Sequence, residues 1–294
     1  MPGGIDHIVH AVRDLDAAAD FYKRAGFTVG ARNRHAWGTH NRIVQLGNAY
    51  IELLEVAEPE KIPPHGPKSF SFGAFNRDFL GLREGLSMLI LNSRDAAADA
   101  RGFEASGIGG FEVFDFSREG KRPDGTVVKL AFSLAFAEGN SSPDVRFAVC
   151  QHYFPENFWN PAFQVHANGA MRVPGVVLAA DNPADHHVFL KSFTGVNDLH
   201  SNSLGVTATT ENGDVEIMAE IAFRDLTGVA PKAAGEGMML NALRFAVADI
   251  ARVEAHHRDN GVLSRRHAGR LVVPPDLAFG ATLIFEAAKP PVEG

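Results

Sequence analysis

Apolar positions along this chain fall into two rhythms that alternate four times. Short runs rich in Val, Ile, Leu and Phe at 5–12, 86–92, 173–180 and 242–248 are too short for helices and read as strands. Each is followed by an Asp or Asn and then by a stretch with helical spacing. On the first of these, Leu15, Ala18, Ala19 and Tyr22 share one stripe, a face to bury on a sheet. Asp14, Asp95 and Asp249 stand where a helix N-cap is wanted, accepting orphan backbone N–H groups. Gly26, Gly107, Gly195 and Gly261 close the helical stretches and suit a left-handed C-cap. They are 81, 88 and 66 residues apart, far above the periods of common solenoid repeats.

Each opening leads into further strand-like runs. These lie at 41–47 and 49–56, at 126–138 and 145–154, at 203–210 and 214–223, and at 269–275 and 280–287. The third pair is separated by Glu-Asn-Gly-Asp, a good hairpin signal. The unit is therefore strand, helix, then about three antiparallel strands, occurring four times in an α+β chain.

Composition narrows the function classes. The 294 residues are 45% hydrophobic and 21% charged, an ordinary globular balance. A net charge of −7, spread without long runs, argues against nucleic acid and acidic membranes as partners. The single cysteine, Cys150, excludes an intramolecular disulfide and fits a reducing compartment. MPGGIDH lacks the segments of a signal peptide, and the greasy stretch at 130–137 is too short to span a bilayer. A soluble, cytoplasmic protein is expected, with a small molecule as its partner and homodimerisation possible in principle. The aromatic complement is lopsided, with 22 Phe against 3 Tyr and 2 Trp, and most of the Phe is expected in the core. No Walker or GxGxxG phosphate loop is present.

Three stretches, DHIVHAVRDLDAAADFY, GTHNRIVQLGNAYIELLEV and CQHYFPENFWNPAFQVHANGA, carry a resemblance. Together with the fourfold unit they are similar to the vicinal-oxygen-chelate superfamily of glyoxalases and extradiol dioxygenases, and within it to the glyoxalase-like domain group. The resemblance implies four βαβββ modules forming two cup-shaped, mostly antiparallel half-barrel sheets with helices outside. It implies an N-terminal pair of modules over 1–150 holding the active cup, an aromatic linker or lid over 151–170, and a degenerate C-terminal pair over 171–294.

The resemblance also implies a divalent metal, whether Fe, Mn, Ni, Co or Zn, with ligands from the first and last strands of a module. His7 matches the first-strand ligand and Glu52, in YIEL, the last-strand glutamate. Imidazole with carboxylate suits such ions, and a carboxylate within an apolar strand is costly to bury unless paired or ligating. His10, three residues from His7, points to the opposite face of a strand and reads as structural. In the second module, Leu86 or Ser87 falls where the matching histidine would stand, and His152 is the compensating candidate. His7, Glu52 and His152 would then form a two-histidine, one-carboxylate set with open positions, Glu52 and His152 also serving catalysis. Glu216, Glu220 and Glu286 in the C-terminal modules have no evident partners.

For each of these side chains a purely structural role is the alternative. His40 and Asn41 begin a strand of the cup wall and are expected to face substrate, whereas Arg34 and His35 read as a polar surface hairpin. In the linker, Tyr153, Phe158 and Trp159 give aromatic bulk, and His166 and Asn168 polar points, fitting a wall over an apolar ligand. Cys150 reads as buried and inert. The activity the resemblance implies is a lyase or isomerase acting on a small apolar or aromatic oxygen-bearing substrate, the metal stabilising an enediolate or related anion. The alternatives are an extradiol-type dioxygenase, with His40 or His166 as acid/base, and a metal-free binding protein.

Overall fold

The first apolar run forms a strand because it is short, β-branched and buried along its whole length. This is β1 (Ile5–Ala11), followed by helix α1 (Leu15–Arg24). The Asp14 carboxylate accepts from the N–H groups of Asp16 and Ala17 and caps the helix. Gly26, at φ 92°, lets the chain leave it. Strands β2 (Asn33–Arg34), β3 (Thr39–Gln45) and β4 (Tyr50–Val56) complete the module. After helix α2 (Phe72–Leu82), the second module repeats the plan with β5 (Gly85–Asn92), α3 (Ala96–Ala105), β6 (Phe114–Lys121), β7 (Val127–Ala137) and β8 (Arg146–His152). The computed structural model describes residues 3–121, 125–139, 142–232 and 237–288.

These eight strands make one mixed sheet in the order β2-β3-β4-β1-β5-β8-β7-β6. The two central strands run antiparallel, and each is parallel to the last strand of its own module. A short helix, α4 (Pro155–Phe158), opens the link to the second half. There β9 (Ala170–Ala180), α5 (His187–Thr194), β10 (His200–Asn202), β11 (Gly205–Thr209), β12 (Asp214–Met218) and α6 (Glu220–Thr227) are followed by β13 (Met238–Val247), α7 (Ile250–Asp259), β14 (Arg265–His267), β15 (Arg270–Val273) and β16 (Thr282–Ala287). Their sheet has the same order, β10-β11-β12-β9-β13-β16-β15-β14. The fourfold unit and the two cup-shaped sheets are thus observed.

One large apolar core joins the two halves, with Phe27 against Phe245 at 4.9 Å and Phe103 of α3 against Phe193 of α5 at 6.1 Å. A separate aromatic cluster fills the concave side of the first sheet, where Phe72 and Phe75 of α2 close one end. Among the described residues no helix is long and apolar enough to cross a membrane.

Three features depart from the sequence reading. The run 214–223 is not one strand: alternation stops at Met218 and α6 begins at Glu220, burying Phe223 and Thr227 one turn apart. Edge strand β6 was not anticipated, because FDFSREGK alternates only weakly. Helix α2 is marked by Ser71, whose hydroxyl accepts from Ala74 N–H, and by apolar positions 72, 75 and 79.

Candidate functional site

The first sheet curls around a narrow cup. Its wall takes alternate residues of the outer strands: Phe114, Phe116 and Arg118 from β6, Phe132 and Leu134 from β7, and Asn41 and Ile43 from β3. Trp37, Phe72 and Phe158 complete the apolar lining; His7, Tyr50, Glu52 and Cys150 enter it from β1, β4 and β8, and His35 from the turn after β2.

His7 is held on three sides. Its ring stacks on Tyr50 at 4.4 Å, its Nδ1 lies 2.7 Å from Asp6 Oδ2, and its Nε2 faces Glu52 Oε2 across 3.9 Å. Asp6 and His7 are neighbours in one strand, yet both turn to this side. Ile5 pairs with Leu91 and His7 with Ile90, so Asp6 is the extra residue of a β-bulge. The carboxylate of Asp6 also meets His152 Nε2 at 3.1 Å. Burial alone would raise the pKa of Asp6. The charges and N–H groups of His152 and His7 outweigh it and hold the carboxyl well below the usual range. An ionised Asp6 only accepts, so both histidines donate to it, and the other ring nitrogen of His7, Nε2, is turned to Glu52's side of the cup.

Glu52 is almost fully buried, and its Oε1 accepts from Asn41 Nδ2 at 2.5 Å. The Asn41 amide is oriented in turn by Asn33 Nδ2, which donates to its oxygen at 3.0 Å. On the far side of Asn41, His35 places Nε2 at 3.3 Å from the amide and 4.0 Å from Glu52, with Nδ1 on the Thr39 hydroxyl at 2.8 Å. Burial pushes the His35 pKa down, keeping the ring neutral. His35 therefore belongs to the cup, not to a surface hairpin as its polar neighbours had indicated.

The predicted ligand trio is brought together only in part. His7 and Glu52 converge, whereas His152 engages Asp6 and its buried Nδ1 has no hydrogen-bond partner among the described residues. Among the described residues, the group of three whose ligand atoms lie within 4.8 Å of one another is Asp6, Cys150 and His152. Burial, followed by the nearby Asp6 and Glu52 charges, drives the Cys150 pKa well up, so the thiol stays protonated there.

Other expected contacts fall elsewhere. His40 cannot accompany Asn41 into the cup, since adjacent strand residues face opposite ways. It turns outward to Glu58 at 3.3 Å and Glu55 at 3.7 Å, beside the ion pair of Glu55 with Arg32. His166 spans Gln45 O at 2.8 Å and Thr28 N at 3.0 Å, and Asn168 ties Ala25 O at 2.8 Å to Ala170 N at 2.9 Å. Both are buried anchors of the linker and line no part of the cup. Tyr153 is half exposed, with its hydroxyl on Ser133. Phe158 lines the cup, and with Trp159 it also walls an adjoining vestibule that shares Ile43 and Arg118 with it. His10 is buried on the opposite face, between Tyr22 Oη at 2.9 Å and Phe279 O at 3.0 Å.

The bulges also align the repeats. Asp14 and Asp95 both cap helices, and the matching bulge residues are Asp6 and Ser87, so the counterpart of His7 in the second module is Met88, not Leu86 or Ser87. Ala148 stands opposite Ile90 as Glu52 stands opposite Val9. In the second sheet the same bulge places Gly175 at the position of His7, Glu216 at that of Glu52 and Arg244 at that of Ile90. There the glutamates are not partnerless. Arg244 donates to Glu216 at 2.5 Å and to Glu286 at 2.6 Å, and Arg270 reaches Glu286 at 3.2 Å, while Glu220 lies in α6.

The glyoxalase-like domain model matches residues 5–194, about two thirds of the chain. The chain belongs to the glyoxalase-like domain family. Among solved structures, a hypothetical protein from Staphylococcus aureus superposes with TM-score 0.67 at 14% identity, covering 97% of this chain and 99% of that one. A variant of 4-hydroxymandelate synthase from Streptomyces coelicolor gives 0.55 at 11% identity, covering 99% and 94%. A 2,2',3-trihydroxybiphenyl 1,2-dioxygenase from Sphingomonas wittichii gives 0.51 at 12%, covering 98% and 91%. At these identities the likeness is one of fold alone. No curated protein matches by sequence.

Proposed function

We propose that the first cup is the active site of a divalent-metal-dependent lyase or isomerase acting on a small aromatic or apolar substrate that bears oxygen. The observation that carries this reading is the 3.9 Å gap between His7 Nε2 and Glu52 Oε2. Two groups able to ligate a cation face each other there, an imidazole nitrogen and a carboxylate oxygen, too far apart for a hydrogen bond, and both are buried. A cation between them would be held by both, and Asp6 behind Nδ1 orients the ring as outer partners of metal-bound imidazoles do. The second cup supplies an internal control. Its equivalent glutamate, Glu216, is paired with Arg244, but the first cup has Ile90 at that position, and among the described residues no lysine or arginine lies within ion-pair distance of Glu52, the Arg118 guanidinium of the cup wall acting on it only from farther off.

His7 and Glu52 would hold the ion, and it would supply Lewis-acid polarisation of a substrate oxygen. The protein's own groups set the rest. Asn41 fixes Glu52, the Tyr50 stack and Asp6 fix His7, and the ring of Phe side chains excludes water. Neutral His35, 4.0 Å from Glu52, is the group placed to take a proton from the substrate and return it. His152 acts through Asp6 as a positioning residue.

A metal-free enzyme or binding protein is the second reading, favoured by Met88 and Ala148, which leave the cup with two free protein donors. Metal content decides. Protein purified without a His-tag, stripped with chelator and offered Mn, Fe, Ni, Co and Zn is expected to retain one equivalent of ion per chain, and His7→Ala and Glu52→Gln to retain none. Wild-type protein that holds no stoichiometric ion after this treatment removes the first reading in favour of the second.

A further inference from the structure

We propose that Arg118 is the anion-recognition residue of the cup, and that the substrate is accordingly an aromatic carboxylate, its ring among the phenylalanines and its carboxylate at the rim. This rests on the first cup being the substrate site, and does not depend on the metal.

Arg118 continues the stripe of Phe114 and Phe116 along β6, so its side chain follows the aromatic wall to the mouth. It lines both the cup and the vestibule and is the one cationic side chain among the residues lining either. Its guanidinium lacks what other sheltered arginines of this protein have. Arg32 pairs with Glu55 and Asp16, Arg42 with Asp16, Arg83 with Asp144, Arg146 with Glu138, and Arg244 with Glu216 and Glu286. Arg118 makes no ion pair among the described residues, and its hydrogen bond is a long one, 3.4 Å, to the carbonyl of Glu119. A guanidinium offers five N–H groups in a fork that matches a carboxylate. Half-buried at an apolar cavity, with Glu52 acting on it only from beyond ion-pair distance, it is a receptor for an anion that arrives with the ligand.

The interior supports a flat ring. Phe116 stacks on Phe132 at 4.9 Å, and Trp37 meets Phe114 and Phe116 edge-on, each at 5.2 Å. The buried Trp37 Nε1–H has no acceptor among the described residues, which leaves a donor for an oxygen on the ring or its side chain.

The protein's two tryptophans, Trp37 in the cup and Trp159 in the vestibule, report directly on occupancy. Phenylacetate and its neutral isostere phenylacetamide are titrated against the metal-stripped full chain, with fluorescence and calorimetry as readouts. Wild-type protein is expected to favour phenylacetate, Arg118→Gln to lose about tenfold or more of that affinity while leaving phenylacetamide within about twofold, and Arg118→Lys to retain an intermediate preference, as a charge-assisted bond is worth about tenfold or more. Unchanged melting temperatures certify the variants. Equal binding of acid and amide, or an Arg118→Gln variant as selective as wild type, overturns the assignment of Arg118 alone. Failure of both probes to bind overturns the cup as an aromatic site as well.

Discussion

The Asp6→Asn substitution tests the construction of the cup most sharply, because one carboxylate there serves two histidines. Asparagine preserves the shape of the side chain, but it replaces two acceptor oxygens with one acceptor and one NH₂ donor. His7 Nδ1, at 2.7 Å, and His152 Nε2, at 3.1 Å, both donate to Asp6, so one of them must turn a lone pair toward the new amide. Either change harms the cup. If His7 adopts the other tautomer, Nε2 carries the hydrogen and no longer offers a lone pair toward Glu52. If His152 adopts it, His7 still loses the charge behind Nδ1. Exchanging a charge-assisted hydrogen bond for a neutral one costs about 1–2 kcal/mol. Outer partners of metal-bound histidines are typically worth about 10–100-fold in metal affinity, and the two scales agree. The expected outcome is therefore a loss of about 10–100-fold in affinity for Mn, Ni or Zn, read by calorimetry on chelator-stripped protein at neutral pH, with a folded near-ultraviolet spectrum. An Asp6→Asn protein that binds metal as tightly as wild type, while Glu52→Gln binds none, refutes the argument that Asp6 sets the His7 tautomer.

Two further outcomes follow from the buried charges. Arg244→Met strands Glu216 and leaves Glu286 only Arg270, so unfolding in urea should show a loss of about 3 kcal/mol, recovered in large part by adding Glu216→Gln; a loss under about 0.5 kcal/mol would show that the ion-pair cluster contributes nothing. His10, whose pKa is lowered chiefly by burial to about 4 against an ordinary 6.5, stays neutral in the fold, while the unfolded chain takes up a proton. Stability should thus fall as pH drops from about 6.5 to about 4, by up to roughly 3 kcal/mol, and His10→Gln should flatten that slope in denaturant titrations; parallel slopes would contradict it.

Most of the architecture was legible because periodicity, N-caps and C-terminal glycines repeat four times, and each agrees with the others. The site was less legible, for one backbone reason. Strict alternation separates Asp6 from His7 and allows His40 beside Asn41 only if one of them is misplaced. The bulge at Asp6 breaks alternation where it matters most, and nothing in "GIDHIV" announces a bulge. His35 was misread for a related reason. Its neighbours Arg34 and Ala36 are exposed, but a short turn closed by Gly38 swings it inward onto Trp37 at 4.5 Å. Arg118 went unseen because β6 did. Its sequence signal was the alternation of Phe114 and Phe116 with polar residues, one pair short of a persuasive strand.

The two cups together sharpen what the first is built to do. Both place a glutamate at the same register position of the strand beside the central pair, Glu52 opposite Val9 and Glu216 opposite Val177. A buried carboxylate at that position is unstable without a positive partner, and the halves answer it differently. In the second cup the partner is covalent to the chain: Arg244 lies so close to Gly175 that a Cβ there would sit 3.2 Å from its guanidinium, so the histidine of the first cup has no room. In the first cup the arginine position is an isoleucine, the glycine position a histidine, and the bulge residue beside it an aspartate that orients that histidine. The first difference removes a fixed positive charge, and the other two add an imidazole and the carboxylate that orients it. The same scaffold thus closes one cup with its own cation, and in the other it sets an imidazole against the glutamate inside an aromatic wall, the arrangement on which the proposed metal site rests.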